Sequence, residues 1–438
     1  MSENNVKSSL HDQLLSLVDL LRWIPVTLLV GLMAGTASAA LLASLTWATE
    51  TREAHHWLIA LLPLAGLGVG LLYRHFGSSV EGGNNLILEQ VHQPSEIIPV
   101  RMAPLVMLGT FASHLFGASA GREGTAIQTG ASLADQLTQP LRMVPVDRRI
   151  LLMCGISAGF ASVFGTPMAG AIFGMEVLAV GVVSYEAIAP CLCAAFFADM
   201  VTRAWAHVVP GIHHATYTVV DVPVMRPATM LYAAVAGVIF GLTAMVFAQL
   251  THRIAAACKR IIPRPEWRPF AGGIVVAAAV FAMGSTRYIG LGLPTIAASF
   301  TERLPVHDFF AKLLFTSVTL GAGFKGGEVT PLFFIGSTLG NALSHLLPLS
   351  PSLLAGMGFV AVFAGAANTP IASIFMAMEL FGGEAAAYAG IACILSYLFS
   401  GHSGIYTAQQ VPHKKFGIWQ RRTQSQEVAA QEDAGSFL

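Results

Sequence analysis

The residues best placed to do chemistry in this 438-residue chain are Gly121-Arg122-Glu123-Gly124-Thr125. They set an arginine and a glutamate inside apolar, small-residue sequence that runs from Leu105 to Ala120 and resumes at Ala126. Two glycines flank the charges, and Thr125 can cap a helix starting there. A carboxylate beside bare helix-terminal N–H groups is costly inside a membrane unless it has a task. The task this setting suggests is competition with an anion for one helix N-terminus. Ionised, Glu123 occupies the seat; protonated and neutral, it can leave, so proton and anion movement become linked. Pairing with Arg122 or plain helix capping is the structural alternative.

Glu328 has the same character in Gly326-Gly327-Glu328-Val329-Thr330-Pro331. Pro331 suits the first turn of a helix. Thr330 then offers a hydroxyl, and Val329 a backbone N–H, at that helix N-terminus. Lys325 is near enough in sequence to neutralise Glu328. Gly82-Gly83-Asn84-Asn85-Leu86 precedes a short helical stretch over 87–91, and asparagine amides can donate to an anion or cap the helix. Tyr406, in Gly404-Ile405-Tyr406-Thr407, follows the last apolar stretch. It fits either an interfacial belt or a hydroxyl aimed into a pathway from the start of a final helix. The anion-binding candidates are therefore Asn84, Asn85, Gly124, Val329, Thr330 and Tyr406, with Glu123 and Glu328 as proton-coupling acids. Glu176 and Glu379 each follow a Thr-Pro and read as acids bracing helices.

The elements that must position these residues are membrane helices. The chain is 54% hydrophobic and 11% charged, against roughly 25% charged in soluble domains. Apolar stretches run over 25–48, 57–75, 103–118, 124–138, 150–164, 167–182, 186–202, 228–258, 270–284, 309–323, 331–347, 353–366, 369–382 and 385–400. Several fall short of the ~20 residues of a straight span. Glycine and proline break them, and broken helices are tolerated at membrane depth only where protein or a water-filled cavity surrounds them. Residues 1–22 do not read as a signal peptide, having Asp12, Asp19 and Arg22 and no cleavage site. Leu10, Leu14, Leu15, Val18 and Leu21 predict a short amphipathic helix over 1–23.

The chain also repeats itself. Gly155-Ile-Ser-Ala-Gly-Phe-Ala matches Gly358-Phe-Val-Ala-Val-Phe-Ala, Thr166-Pro167 matches Thr369-Pro370, and Met175-Glu176 matches Met378-Glu379. Gly121-x-Glu123-x-Thr125 matches Gly326-x-Glu328-x-Thr330 at almost the same spacing. This predicts an all-α polytopic membrane protein of two homologous halves, 24–206 and 228–400. A loop over 207–227, a final helix over 401–420 and a disordered tail over 421–438 complete it. Discontinuous helices in corresponding places of two halves point to a transporter site. Arg253, Lys259, Arg260, Arg264 and Arg268 place their loop in the cytoplasm; the Lys/Arg-poor 207–227 loop lies outside.

Other chemistry finds less support. His213-His214 reads as a solvated pair, and Cys191-Leu192-Cys193 lacks the partners of a zinc or redox site. No metal or cofactor is expected. Zero net charge without a basic, aromatic-interleaved patch argues against nucleic acid. Intramembrane enzymes also place polar groups in broken helices, but His-Glu-x-x-His does not occur.

Gly121-Arg122-Glu123-Gly124-Thr125 resembles the Gly-Arg-Glu-Gly-Pro element of the CLC family of chloride channels and chloride/proton antiporters. Gly327-Glu328-Val329-Thr330-Pro331 resembles that family's Gly-x-Phe-x-Pro element, Gly83-Asn84-Asn85-Leu86-Ile87 stands where it has Gly-Ser-Gly-Ile-Pro, and Tyr406 matches its pathway tyrosine. The resemblance covers about residues 10–420. It implies about 18 helices in two inverted repeats meeting at a central anion site. It also implies a homodimer in the bacterial inner membrane with both termini cytoplasmic, and Glu123 as external gate. Asn84, Thr125 and Glu328-Val329-Thr330 depart from the chloride pattern and are similar to the fluoride-exporting branch, which swaps fluoride for protons. Val177 stands where chloride/proton antiporters carry an internal acid, and Glu328 is the candidate replacement. Strong donors suit small, hard, strongly hydrated fluoride. The expected function is fluoride/proton antiport; a chloride/proton antiporter or passive anion channel of the same fold is the alternative.

Overall fold

The computed structural model describes residues 3–402, 404–412 and 414–415, apart from the side chains of residues 3–17 and Asp19. Proline opens helices and left-handed residues close them along the chain, as at Pro145, Pro167, Pro351 and Pro370 and at Gly165 and Asn368. The first half folds as α1 (Glu3–Ala54), α2 (Leu62–Phe76), α3 (Asn84–His92), α4 (Met102–Leu115), α5 (Glu123–Asp135), α6 (Pro145–Phe164), α7 (Pro167–Glu176) and α8 (Ile188–Ala206). The second folds as α9 (Pro227–Ile261), α10 (Trp267–Met283), α11 (Leu293–Thr301), α12 (Asp308–Gly321), α13 (Val329–Leu343), α14 (Pro351–Ala367), α15 (Pro370–Phe381) and α16 (Gly383–Phe399). The halves correspond helix by helix. The short α3 and α11, nine residues each, fall in the same place, as do the half-length α7 and α15 of ten and twelve.

The halves are related by inversion, and two contacts show it. Glu176 ends α7, and its carboxylate accepts from the N–H groups of Ile371 and Ala372 at the start of α15, at 3.0 and 2.8 Å. Glu379, near the end of α15, accepts from Met168 and Ala169 at the start of α7, at 2.8 and 2.9 Å. Equivalent helices that cap each other reciprocally run antiparallel, so the axis relating them lies across the helices rather than along them. The repeat-matched Phe160 and Phe363 face each other at this axis, with ring centroids 6.0 Å apart. Phe173 stacks on Phe160 at 4.4 Å, extending an aromatic core between the halves. Lipid tails are as apolar as these rings, so packing and the reciprocal hydrogen bonds hold the halves together.

Among the described residues, four helical stretches are long and apolar enough to cross a membrane, Leu20–Ala54, His56–Phe76, Tyr185–Ala206 and Pro227–Ile261. Their outward faces carry exposed Leu28, Leu32, Trp47, Leu242 and Val246. Among the shorter helices, α5, α13 and α14 are almost wholly buried.

Three expectations need correction. The helix expected over 1–23 is not a separate element: helix continues unbroken through Pro25 into the first span. The final helix expected over 401–420 is absent among its described residues, which form turns and bends. The 421–438 tail lies outside the described residues. Sixteen α-helices and three short 3-10 helices are described, against the 18 helices implied. The 3-10 turn at His56–Leu61 merges into α2, and α1 runs through what would be two elements.

Candidate anion and proton site

The two broken-helix loops meet at the centre. Gly121 N donates to Gly327 O at 2.6 Å and Gly327 N to Gly121 O at 2.8 Å, an antiparallel bridge between the halves. A Cβ on Gly327 would stand 2.6 Å from Gly124 N, so only glycine allows this approach. The loop before Gly121 is fastened to the second half. Ser119 Oγ lies 2.9 Å from Thr316 Oγ1, Thr319 Oγ1 accepts from Ser119 N, and Ala118 O accepts from Gly290 N. Two buried cations hold its neighbours, Arg52 donating to His114 O and Lys312 to Tyr288 O and Gly290 O.

Glu123 opens α5, but its carboxylate turns onto the start of α13. Oε2 accepts from Thr330 N at 3.1 Å and Arg122 N at 3.0 Å, and Oε1 accepts from the Thr330 hydroxyl. The side chain has no exposed surface. Arg122 Nε stands 3.9 Å from Oε1, too far for a hydrogen bond, and has no partner. The carboxylate is therefore hydrogen-bonded by neutral donors at a helix N-terminus, where a bound anion would sit, with the Arg122 guanidinium in ion-pair range but not hydrogen-bonded to it.

Glu328 stands at the N-cap position of α13 without a side-chain capping hydrogen bond. Its Oε2 is buried without a hydrogen-bond partner. A Cβ on Gly124 would lie 3.1 Å from Asn84 Nδ2 and 3.7 Å from Glu328 Oε2, so both side chains converge over Gly124. Asn84 is the first residue of α3, set there by Gly83 at φ +56°. Asn84 Oδ1 and the Tyr406 hydroxyl are also buried and unpartnered, and both residues line one small cavity with Ile127, Phe173 and Val177. Two unpartnered polar side chains thus line one space, and buried polar atoms of this kind call for a hydrogen-bond partner.

Several roles differ from those read in the sequence. Asn85 is engaged elsewhere: its Oδ1 accepts from Ala408 N at 3.0 Å, pinning the segment that carries Tyr406. That segment is further tied by Gln410 N to Leu178 O and by Gln409 Nε2 to Val177 O and Ala367 O, so Tyr406 is held without a helix. Thr330 N, rather than Val329 N, donates to Glu123. Thr125 meets Thr110 of α4 hydroxyl to hydroxyl at 2.6 Å. Lys325 forms no ion pair with Glu328; its ammonium lies 3.9 Å from the Tyr73 ring centroid. His214 is half-buried against Ser162 O at 2.9 Å, while His213 is exposed. No metal-holding group of three or more such side chains occurs among the described residues. The Ser119–Thr316–Thr319 clamp and Lys312 escaped sequence reading, because lone hydroxyls and a lone lysine in apolar runs carry no spacing signal.

A membrane protein of two inverted halves, with a carboxylate seated on a helix N-terminus and a second acid whose buried oxygen has no partner, is built to pass an ion. The chain matches the voltage gated chloride channel family over residues 65–401, and it belongs to that family. It is 55% identical over 400 residues to the chloride/fluoride channel protein of Pseudomonas syringae pv. tomato, covering 90% of this chain and 87% of the relative. It is 25% identical over 392 residues to the H(+)/Cl(-) exchange transporter ClcA of Klebsiella pneumoniae subsp. pneumoniae, covering 80% and 79%. The crystal structure of a CLC-type fluoride/proton antiporter superposes with a TM-score of 0.86 at 34% identity, covering 90% of this chain and 99% of that one. The CLC fold expected from the motifs is thus the fold observed.

Proposed function

We propose that the protein exports fluoride in exchange for protons. The carrying observation is the pair of acids: Glu123 closes the α13 N-terminus through Thr330, while Glu328 converges with Asn84 over Gly124 and keeps a buried, unpartnered oxygen. Protonation frees Glu123 from its seat, and fluoride takes the Thr330 donors it leaves. Glu328 is the second coupling acid, holding a proton that can hydrogen-bond fluoride directly. Asn84, Thr330, Tyr406 and the backbone of Gly124 and Val329 line the ion's path. Asn85 positions Tyr406.

The chain works as a homodimer in the bacterial inner membrane with both termini cytoplasmic. The basic 253–268 end faces the cytoplasm and the 207–227 loop faces outside. The likeness to a fluoride/proton antiporter and to a chloride/fluoride channel protein supports this reading. Liposomes loaded with fluoride and followed by fluoride-selective and pH electrodes test it. Fluoride release matched by proton uptake is expected, with little chloride movement. Comparable chloride flux would favour the chloride reading, and fluoride release without protons would make the protein a channel.

A further inference from the structure

On the side that carries Lys259 and Arg268, a vestibule of about 560 Å3 opens toward the site, its wall including Gly82 and Asn85. Four cations line it, Arg74, Lys259, Arg268 and Lys325, with Glu81 as the lining acid. Two of the four are already engaged. Arg74 pairs with Glu266, and Arg268 donates to Ile262 O and Pro263 O.

Lys325 differs. Its stem lies against Gly109, where a Cβ would be 2.9 Å from the lysine Cβ and Cγ, and its ammonium rests over the Tyr73 ring. Among the described residues that ammonium has no hydrogen-bond or ion-pair partner. Glu81 is the acid that shares the vestibule lining with it. The aromatic face holds the cation without using its N–H donors, which stay free for a ligand. Lys325 is also three residues from Glu328, between the vestibule and the acids. An ammonium is a compact, strongly hydrated charge and matches a small hydrated anion better than a guanidinium does.

We propose that Lys325 is the loading site of the pathway on the vestibule side. There, hydrated fluoride is first held and begins to exchange water for protein donors before it reaches Asn84 and Glu328. This rests on the fluoride reading above. Glu81 opposes it by lowering the positive potential of the vestibule. Converging cations in a low-dielectric cleft raise local anion concentration and capture rates by about 10 to 1,000-fold. Removing the innermost of them should then weaken loading by about tenfold.

Membrane vesicles of both orientations, acid on the side receiving fluoride, give the test, with initial uptake measured against fluoride concentration and corrected with vesicles lacking the protein. Lys325→Gln should raise the half-saturating fluoride about tenfold when fluoride meets the vestibule face, a change larger than any fall in maximal rate. It should leave half-saturation from the opposite face unmoved. Lys325→Arg should restore much of the loss, and Glu81→Gln should lower half-saturation below that of the parent protein. An unchanged half-saturation, an equal change from both faces, or a fall in maximal rate alone would overturn the assignment. Should the parent protein move chloride instead of fluoride, the fluoride reading falls, and the same comparison with chloride decides Lys325.

Discussion

Glu123→Gln isolates the gate, because it preserves shape and removes only the charge and the proton. In the structure the carboxylate accepts three hydrogen bonds, from Arg122 N, Thr330 N and Thr330 Oγ1. A hydrogen bond to a charged acceptor contributes about 1.5–3 kcal/mol, and one between neutral groups about 0.5–1.5. Neutralising the acceptor therefore weakens each bond by about 1 kcal/mol, and the seat by about 3 kcal/mol if the three add. At 1.4 kcal/mol per decade this is roughly a hundredfold shift of the side chain out of its seat. The Thr330 donors become available to the ion more of the time, and no proton is needed to free them. Fluoride release from liposomes should persist, proton uptake should vanish, and fluoride binding measured by calorimetry should tighten. Proton uptake continuing at the parent ratio to fluoride in Glu123→Gln would refute the gating argument. Weaker fluoride binding would mean that the carboxylate holds the ion rather than competing with it.

Four further outcomes are expected. Asn84→Ser shortens the donor that converges with Glu328 over Gly124, and the fluoride-over-chloride flux ratio should fall; an unmoved ratio places the filter elsewhere. Glu328→Ala removes the acid with the unpartnered oxygen and should leave fluoride movement uncoupled or abolished, as simultaneous fluoride and pH electrode traces would report; a fully coupled variant would reduce Glu328 to a structural role. Asn85→Ala deletes the acceptor for Ala408 N, a loss of about 1–3 kcal/mol if that N–H stays buried. Turnover should drop with selectivity kept, whereas lost selectivity would restore Asn85 as an ion ligand. Glu176→Ala and Glu379→Ala each strip two donors at a helix start and should lower the thermal midpoint in detergent. The losses should be comparable, and a variant at the parent midpoint would show that the cap is dispensable.

The fold was legible because its signals are periodic or punctuated. Repeat-matched Thr-Pro and Glu pairs, Gly-rich breaks and apolar runs named the halves, the short helices and the loops that meet. Glu123 and Glu328 stood out because a charge in an apolar run is conspicuous. Pairing between distant side chains was not legible. Asn84 and Asn85 are adjacent and chemically identical, yet only Asn84 faces the convergence over Gly124, while Asn85 holds Ala408 more than 300 residues away. Whether Lys325 neutralises Glu328 depended on a rotamer set by Gly109 and Tyr73, which sequence distance does not encode. The end of the chain misled for a physical reason as well. Residues 408–410, inside the stretch expected to be a final helix, spend their polar groups on contacts with Asn85, Leu178, Val177 and Ala367, which compete with helix formation.

The inverted repeat also explains why coupling falls where it does. Inversion brings an acid of one half to a helix N-terminus of the other, and three of the four matched acids take that position. Glu123 sits on α13, Glu176 on α15 and Glu379 on α7. Glu328 is the fourth, and full symmetry would seat it on the start of α5. There the symmetry breaks: its Oε2 comes near Gly124 but accepts no hydrogen bond. A buried acceptor without a partner costs about 1–3 kcal/mol, and a carboxylate more unless it binds a proton or an ion's hydrogen-bonding partner. The two static acids brace the halves, and in the exchange proposed above the seated Glu123 waits for a proton. Of the four acids only Glu328 has an unpartnered oxygen, so under that proposal loading there removes a cost rather than adding one. An exchanger needs such an inequality between its two sides, because two equally satisfied acids would hold their protons and pass none along.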